Sequence, residues 1–263
     1  AKVVVDASGQ DSIIARRLGL RRYDPKLKNA AIFTRYKGAL RDAGIDEGAT
    51  LVLHTAHGDS WFWYIPLAGD LVSVGVVGPM DYLIKGRSGD PAKAFDEEVA
   101  LCPGLAPRIS GREQVSGMQV LRDFSYISDK IAGDGWILAG DAFGFLDPIY
   151  SSGVLLALKS AEFAVDSIEE AFREDDFSAS RLGRHGPRFV AGMEDLRRLV
   201  YAFYAPDFHF KSFLEQFPEC RDGLTNLLVG NVFRQSSDGL FTKMGQMLDL
   251  PGYRPLSLPG APR

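Results

Sequence analysis

The sequence predicts a mixed α/β (α+β) fold with an antiparallel sheet and a helical C-terminal region. Three observations predict it. Residues 51–54, 61–67 and 71–77 are aromatic or β-branched runs separated by His57-Gly58-Asp59 and Ala68-Gly69-Asp70. Short Gly/Asp connections between such runs are hairpin signals. Residues 136–139 read as a strand that leads through a loop into a long helix over 154–172, and helical spacing then dominates to about residue 248. Strands first, then a strand–turn–helix unit, then helices is the order of a mixed fold.

The remaining elements follow in chain order. Residues 2–5 read as a short apolar strand and Asp6 to Gly9 as its turn. Residues 12–18 read as a helix stopped by Gly19, glycine being the usual residue just past a helix end. Residues 33–36 form a strand, the charged and glycine-punctuated 41–48 a loop, and 91–102 a helix with Pro91 in its first turn. Residues 118–127 read as one strand. The helical region continues over 179–203, interrupted by Gly183, Gly186 and Pro187, then over 208–217, 223–228 and 240–248, and the Pro/Gly-rich tail 251–263 reads as irregular.

Composition narrows the function classes. The chain has 263 residues, 46% hydrophobic and 24% charged, with a formal net charge of −4, an ordinary globular balance. Acidic and basic residues are interleaved, so the basic footprint of a nucleic-acid binder is missing. Cys102 and Cys220 stand far apart with no CxxC pair, which fits a reducing compartment and a cytoplasmic location. No apolar run approaches the ~18 residues of a membrane span, and the first residues carry no secretory signal pattern. An apolar strand beginning at residue 2 predicts further sequence upstream.

The most informative segment runs from Trp136 to Val154, WILAGDAFGFLDPIYSSGV. Gly140 permits close backbone approach. Asp141 stands at a strand's carboxyl end, where open α/β sheets bind ligands and where a carboxylate can accept hydrogen bonds from a ribitol or ribose hydroxyl. Ser151, Ser152 and Gly153 put backbone N–H groups at a helix start, which favours an anion or an electron-rich carbonyl. The alternative is an ordinary connection with an N-capping serine.

With these residues in view, the segment resembles the second FAD fingerprint of para-hydroxybenzoate hydroxylase-like flavoproteins, in the form found in flavin-dependent halogenases. The resemblance implies that Asp141 contacts the ribityl or pyrophosphate part of FAD. It places Pro148 near the flavin ring and turns the backbone of Ser152, Gly153 and Val154 toward the isoalloxazine, with Ser151 beside them. It also implies a chloride site on Ser152 and Gly153. The stretch Val4 to Gln10, VVDASGQ, is similar to the family's strand and turn before the substrate domain and adds Asp6 and Gly9 to the expected cofactor contacts. Trp61-Phe62-Trp63-Tyr64-Ile65-Pro66 matches WxWxIP, the halogenase signature. On a strand Trp61, Trp63 and Ile65 face one side and Phe62 and Tyr64 the other. In the family such indoles wall off the substrate pocket from the flavin; the alternative for the motif alone is an aromatic β-core, since aromatics favour strands. The resemblance implies a FAD-binding part over residues 1–30 and 129–172, a β-rich substrate domain over 31–128 and a helical region over 173–263.

The sequence departs from the family pattern in three places. It contains no GxGxxG loop, and the family's catalytic lysine falls upstream of the Asp-Ala-Ser-Gly turn, so no catalytic residue is assigned and this stretch alone is expected to be inactive. Where tryptophan halogenases carry a glutamate, this chain has Tyr150, which resembles the branch acting on phenolic or pyrrolic substrates, often tethered to a carrier protein. The expected partners are such an aromatic substrate and a separate flavin reductase. Two alternatives stand beside halogenation: a monooxygenase or geranylgeranyl-reductase-like flavoenzyme, and a substrate- or carrier-binding module without redox chemistry. No metal site is expected. His54 and His57, three apart on a strand, point to opposite faces, and His185 and His209 are isolated. Arg16, Arg17, Arg21 and Arg22 read as a solvated helix face, with docking of an acidic carrier protein as the alternative.

Overall fold

The aromatic and β-branched runs pair into a six-stranded antiparallel sheet within a unit formed by residues 23–125. The rest of the chain, residues 1–22 and 126–263, forms a second unit. The computed structural model describes residues 1–85, 87, 89–233, 237–252 and 256.

In the sheet, strand Leu51–His54 pairs with Trp61–Leu67, which pairs with Leu71–Pro79, which pairs with Asn29–Lys37. The first two strands begin and end where the sequence predicts. The Asn29–Lys37 strand is longer than the expected 33–36 because it runs in unbroken register from Asn29 opposite Pro79 to Lys37 opposite Leu71. Those cross-strand partners outweigh the weak β-propensity of Ala30 and Ala31. One face of Trp61–Leu67 turns Phe62 and Tyr64 into the core, where the Phe62 ring meets Phe95 of helix Pro91–Ala100 edge-on at 5.5 Å. That helix starts as the sequence predicts, with Pro91 in its first turn and Asp90 capping the Ala92 amide.

One expected strand is two. Residues 118–127 do not run on, because Asp123 adopts a left-handed φ of 47°. Gln119–Arg122 pairs with Asn29–Lys37, and Tyr126–Ser128 pairs with Gly144–Phe145. A turn residue at Asp123 ends the first pairing and frees the chain for the second, a change of direction that a period-2 pattern does not report.

In the second unit Val4–Asp6 lies parallel to Trp136–Leu138, and Ala132–Gly133 pairs antiparallel on the other edge of Trp136–Leu138. The helix expected over 154–172 spans Gly153–Glu174 and stops at Asp175, whose left-handed conformation returns its N–H to the Ala171 carbonyl. The helical region that follows comprises Ala179–Leu182, Gly186–Tyr204, Phe210–Gln216, Arg221–Leu228 and Asp238–Met244. Its core is ring-rich: Phe163, Phe189 and Phe233 meet one another at 5.6–6.5 Å. Among the described residues no helix is long and apolar enough to cross a membrane. Of the tail expected to be irregular, residues 253–255 and 257–263 lie outside the described residues.

Candidate functional site

Asp6 pairs opposite Leu138, so the parallel strands Val4–Asp6 and Trp136–Leu138 end side by side. Their following turns share the carboxyl edge of the sheet, the edge where ligands bind in open α/β folds. The first turn is held by Asp6, which is 5% exposed. Its carboxylate accepts from the Ser8 amide (3.0 Å), the Ser8 hydroxyl (2.6 Å) and the Ile14 amide (2.7 Å). Burial raises the Asp6 pKa, but these bonds outweigh it and hold the group below the ordinary carboxylate range. Asp6 is among the expected cofactor contacts, and its oxygens also shape its own turn.

The second turn depends on Gly140. Its φ is +59°, and a Cβ there would stand 3.2 Å from the Ala157 Cβ. The Gly140 amide donates to the Ser160 hydroxyl (2.7 Å), which donates on to the Ala157 carbonyl (2.8 Å). The Gly-Asp turn is thereby pinned against the small-residue face of helix Gly153–Glu174. From the other side the Tyr126 hydroxyl donates to the Asp141 carbonyl (2.6 Å). The Arg21 guanidinium lies over the Tyr126 ring at 3.4 Å and donates to the Gln10 carbonyl (2.8 Å), tying that brace to the first turn.

Between the two turns and the helix start lies an open cavity of about 420 Å³ lined by Ala7, Gly9, Ala139, Gly140, Asp141, Phe145, Gly153, Val154, Ala157 and Ala161. Its size is that of a small-molecule site. Five expected cofactor residues line it: Gly9, Gly140, Asp141, Gly153 and Val154. Asp6, Pro148, Ser151 and Ser152 are not among the residues lining it and belong to the turns and helix start beside it. Among the described residues the Asp141 carboxylate carries no hydrogen bond, and burial raises its pKa. It is an acceptor in search of a donor, facing space. Opposite it, the helix ladder begins with the Leu156 amide on the Ser152 carbonyl (3.0 Å). Ser152 makes no side-chain cap bond, so the ordinary capped-helix reading does not describe this start. The first amides of a 22-residue helix remain at its positive end. A hydroxyl acceptor on one wall and amide donors on another fit a polyol-bearing, partly anionic ligand such as the expected flavin nucleotide.

Tyr150, expected in the substrate pocket, does not line this cavity. Its hydroxyl donates to the Leu199 carbonyl (3.0 Å) and its ring meets Phe203 edge-on at 6.4 Å. Burial first, then the Asp147 charge, raises its pKa, so it stays a neutral phenol. Trp61 and Trp63 belong to the other unit. Trp61 is buried, its ring 6.4 Å from that of Trp63, and the Trp63 indole donates to the Ser73 hydroxyl (3.1 Å) and lies across Gly75. They share the sheet face opposite Phe62 and Tyr64, as alternation predicts. Among the described residues no group of three or more His, Cys, Asp or Glu is gathered as a metal site.

Sequence reasoning missed Ser160, Tyr126 and the alanines at 157 and 161. Ala157, Ser160, Ala161 and Ala164 form a small-residue stripe at helical spacing after Gly153, a signal that a backbone approaches closely there. Tyr126 gave no such signal.

Comparison with known proteins bears on this geometry. A sequence profile described as tryptophan halogenase matches residues 1–212. The 1H-pyrrole-2-carbonyl-[peptidyl-carrier protein] chlorinase of Pseudomonas fluorescens is 31% identical over 253 residues, covering 94% of this chain and 56% of the relative. The corresponding brominase of Pseudoalteromonas luteoviolacea is 35% identical over 240 residues, covering 89% and 57%. The solved structure of the flavin-dependent brominase Bmp2 superposes with a TM-score of 0.83 at 30% identity, covering 94% of this chain and 62% of that one. The chain spans a little over half the length of these curated relatives.

Proposed function

Because the chain belongs to the tryptophan halogenase family, we propose that it forms the ring- and halide-facing part of an FAD-dependent halogenase with a para-hydroxybenzoate hydroxylase-like fold. The observation that carries this reading is the cavity whose walls are the unpartnered Asp141 carboxylate and the uncapped start of helix Gly153–Glu174. FAD, when bound and reduced, supplies the oxygen-activating chemistry that oxidises a halide. This chain's residues bind and orient around it. Asp141 accepts hydrogen bonds from ribityl hydroxyls, and its raised pKa falls back as those donors arrive. Gly140 lets the backbone approach. The amides of Ser152 and Gly153 hold the halide, and those at Gly153 and Val154 face the flavin's electron-rich edge. Pro148 and Ser151 set the backbone path into that helix start.

The substrate we propose is a pyrrole- or phenol-like ring carried on a carrier protein, supported by the activities of the two bacterial relatives. A separate flavin reductase supplies the reduced cofactor, and the enzyme works in the cytoplasm. The test is turnover of the full-length protein with reduced FAD, oxygen and chloride or bromide, on free and carrier-tethered pyrroles and phenols. The expected product carries the isotope pattern of a halogen. Hydroxylated product alone across the panel overturns the reading.

A further inference from the structure

The turn that delivers the chain to the start of helix Gly153–Glu174 is Pro148–Tyr150, and its exit residue Ser151 adopts a left-handed φ of 50°. That conformation is disfavoured for serine and persists only where the surroundings enforce it. The enforcement comes from the last turns of helix Gly186–Tyr204. The Tyr204 hydroxyl donates to the Asp147 carboxylate, 3.1 Å from Oδ2 and 3.3 Å from Oδ1. Asp147 is 3% exposed, and its Oδ1 also accepts the Ile149 amide at 3.0 Å, which closes the turn. Three residues on, the Tyr150 hydroxyl reaches back to the Leu199 carbonyl of the same helix at 3.0 Å. Phe203 packs edge-on against both tyrosines, at 6.4 Å from Tyr150 and 5.1 Å from Tyr204. The turn is thus clamped at its capping residue Asp147 and its last residue Tyr150 to one helix.

Resting on the halogenase reading of this site, we propose that Tyr204 is a positioning residue for halide binding. Through Asp147 it fixes the turn that aims the Ser152–Val154 amides into the cavity. It does not line the cavity, so its effect reaches the ligand only through the turn. The bond is charge-assisted and buried at its acceptor, the kind whose loss is felt most. Tyr204→Phe keeps the ring against Phe203 and removes only the hydroxyl. Asp147→Asn keeps an oxygen acceptor for both the Ile149 amide and Tyr204.

The experiment pairs amide hydrogen exchange with halide titration of the bound flavin's absorbance, in the flavin-loaded protein and its variants. In Tyr204→Phe the hydrogen-bonded amides of Ile149, Ser151 and Leu156 are expected to exchange about tenfold faster, and the halide dissociation constant to rise about tenfold. Flavin affinity and exchange along the body of Gly186–Tyr204 stay as they were, and saturating halide restores kcat. Asp147→Asn is expected to lie between wild type and Tyr204→Phe in both measures. Unchanged exchange at Ile149, Ser151 and Leu156, or acceleration spread equally over the whole helix, overturns the proposal. Absence of any halide response in the wild type instead removes the halogenase reading, and the exchange data then decide on their own whether Tyr204 positions the turn.

Discussion

Replacing Gly140 with alanine adds a methyl group at the point where the Gly-Asp turn meets helix Gly153–Glu174. Two costs add. The residue sits at φ +59°, a conformation that costs a residue bearing a Cβ about 1–2 kcal/mol. The new methyl stands 3.2 Å from the Ala157 Cβ and 3.6 Å from its Cα. Neither atom belongs to a flexible side chain, so the turn must move, and overpacking of this kind costs about 1 kcal/mol more. The expected destabilisation is about 2–3 kcal/mol. Gly9→Ala is the matched control: its φ is +63° and nothing lies within 4 Å of its Cβ, so only the backbone cost, about 1–2 kcal/mol, applies. Urea unfolding of both variants, followed by fluorescence, separates the two contributions. Movement of the turn also carries Asp141 out of place, so Gly140→Ala is expected to weaken FAD binding at least tenfold by fluorescence titration. If Gly140→Ala costs no more than Gly9→Ala and binds FAD as the wild type does, the close approach to Ala157 has no role in shaping the cavity.

Other perturbations test other parts. Asp141→Asn retains one acceptor oxygen but loses the charge, and FAD affinity is expected to fall severalfold with little change in the unfolding midpoint. Glu98 is fully buried, paired with Arg87 and accepting the Ser60 hydroxyl at 2.5 Å; Glu98→Ala removes this acceptor from the buried Ser60 hydroxyl and leaves Arg87 with Glu97 as its carboxylate partner at 2.7 Å, and is expected to cost about 2–3 kcal/mol in urea. Gly75→Ala places a Cβ 2.2 Å from the Trp63 Cζ2, so the indole must swing out, read as a red shift of tryptophan emission. Burial depresses the His185 pKa to about 4 from 6.5. The unfolded chain therefore binds this proton first, and the stability that His185 contributes is complete above pH 6.5 and lost as pH falls toward 4. The loss amounts to about 3 kcal/mol at most. His185→Gln is expected to flatten the unfolding midpoint across that window.

What was legible in the sequence was local. The hairpin strands Leu51–His54 and Trp61–Leu67 were readable because turn chemistry and alternation agree there. The Gly140 to Val154 segment was readable because a strand end, a fixed proline and a helix start fall within one stretch. The break at Asp123 was not, since aspartate in a left-handed conformation looks like aspartate in a strand until its pairing partners are known. The bracing of the site was hidden for the same reason. Tyr126 reaches Asp141, and Tyr204 reaches Asp147, only because distant helices and strands bring them together. Asp6 adds what its place at a strand end does not report: three nearby donors meet its oxygens and shape the turn.

The interruption of one unit by the other has a consequence for how the chain reaches this state. Val4 cannot find Trp136 until the intervening residues have been synthesised, and closing a loop of that length through a disordered chain costs about 4 kcal/mol of entropy. Residues 23–125 are continuous and hold a core and sheet of their own. At their ends the Asp24 amide donates to the Ser125 carbonyl at 2.8 Å. Once they fold, the long loop becomes a short one, because its two ends already lie together. The order expected from this is sheet first and cavity last, with the hairpins protected in pulse-labelled exchange before the Gly140 turn. The inserted sheet then acts as an internal template for assembling the cofactor site.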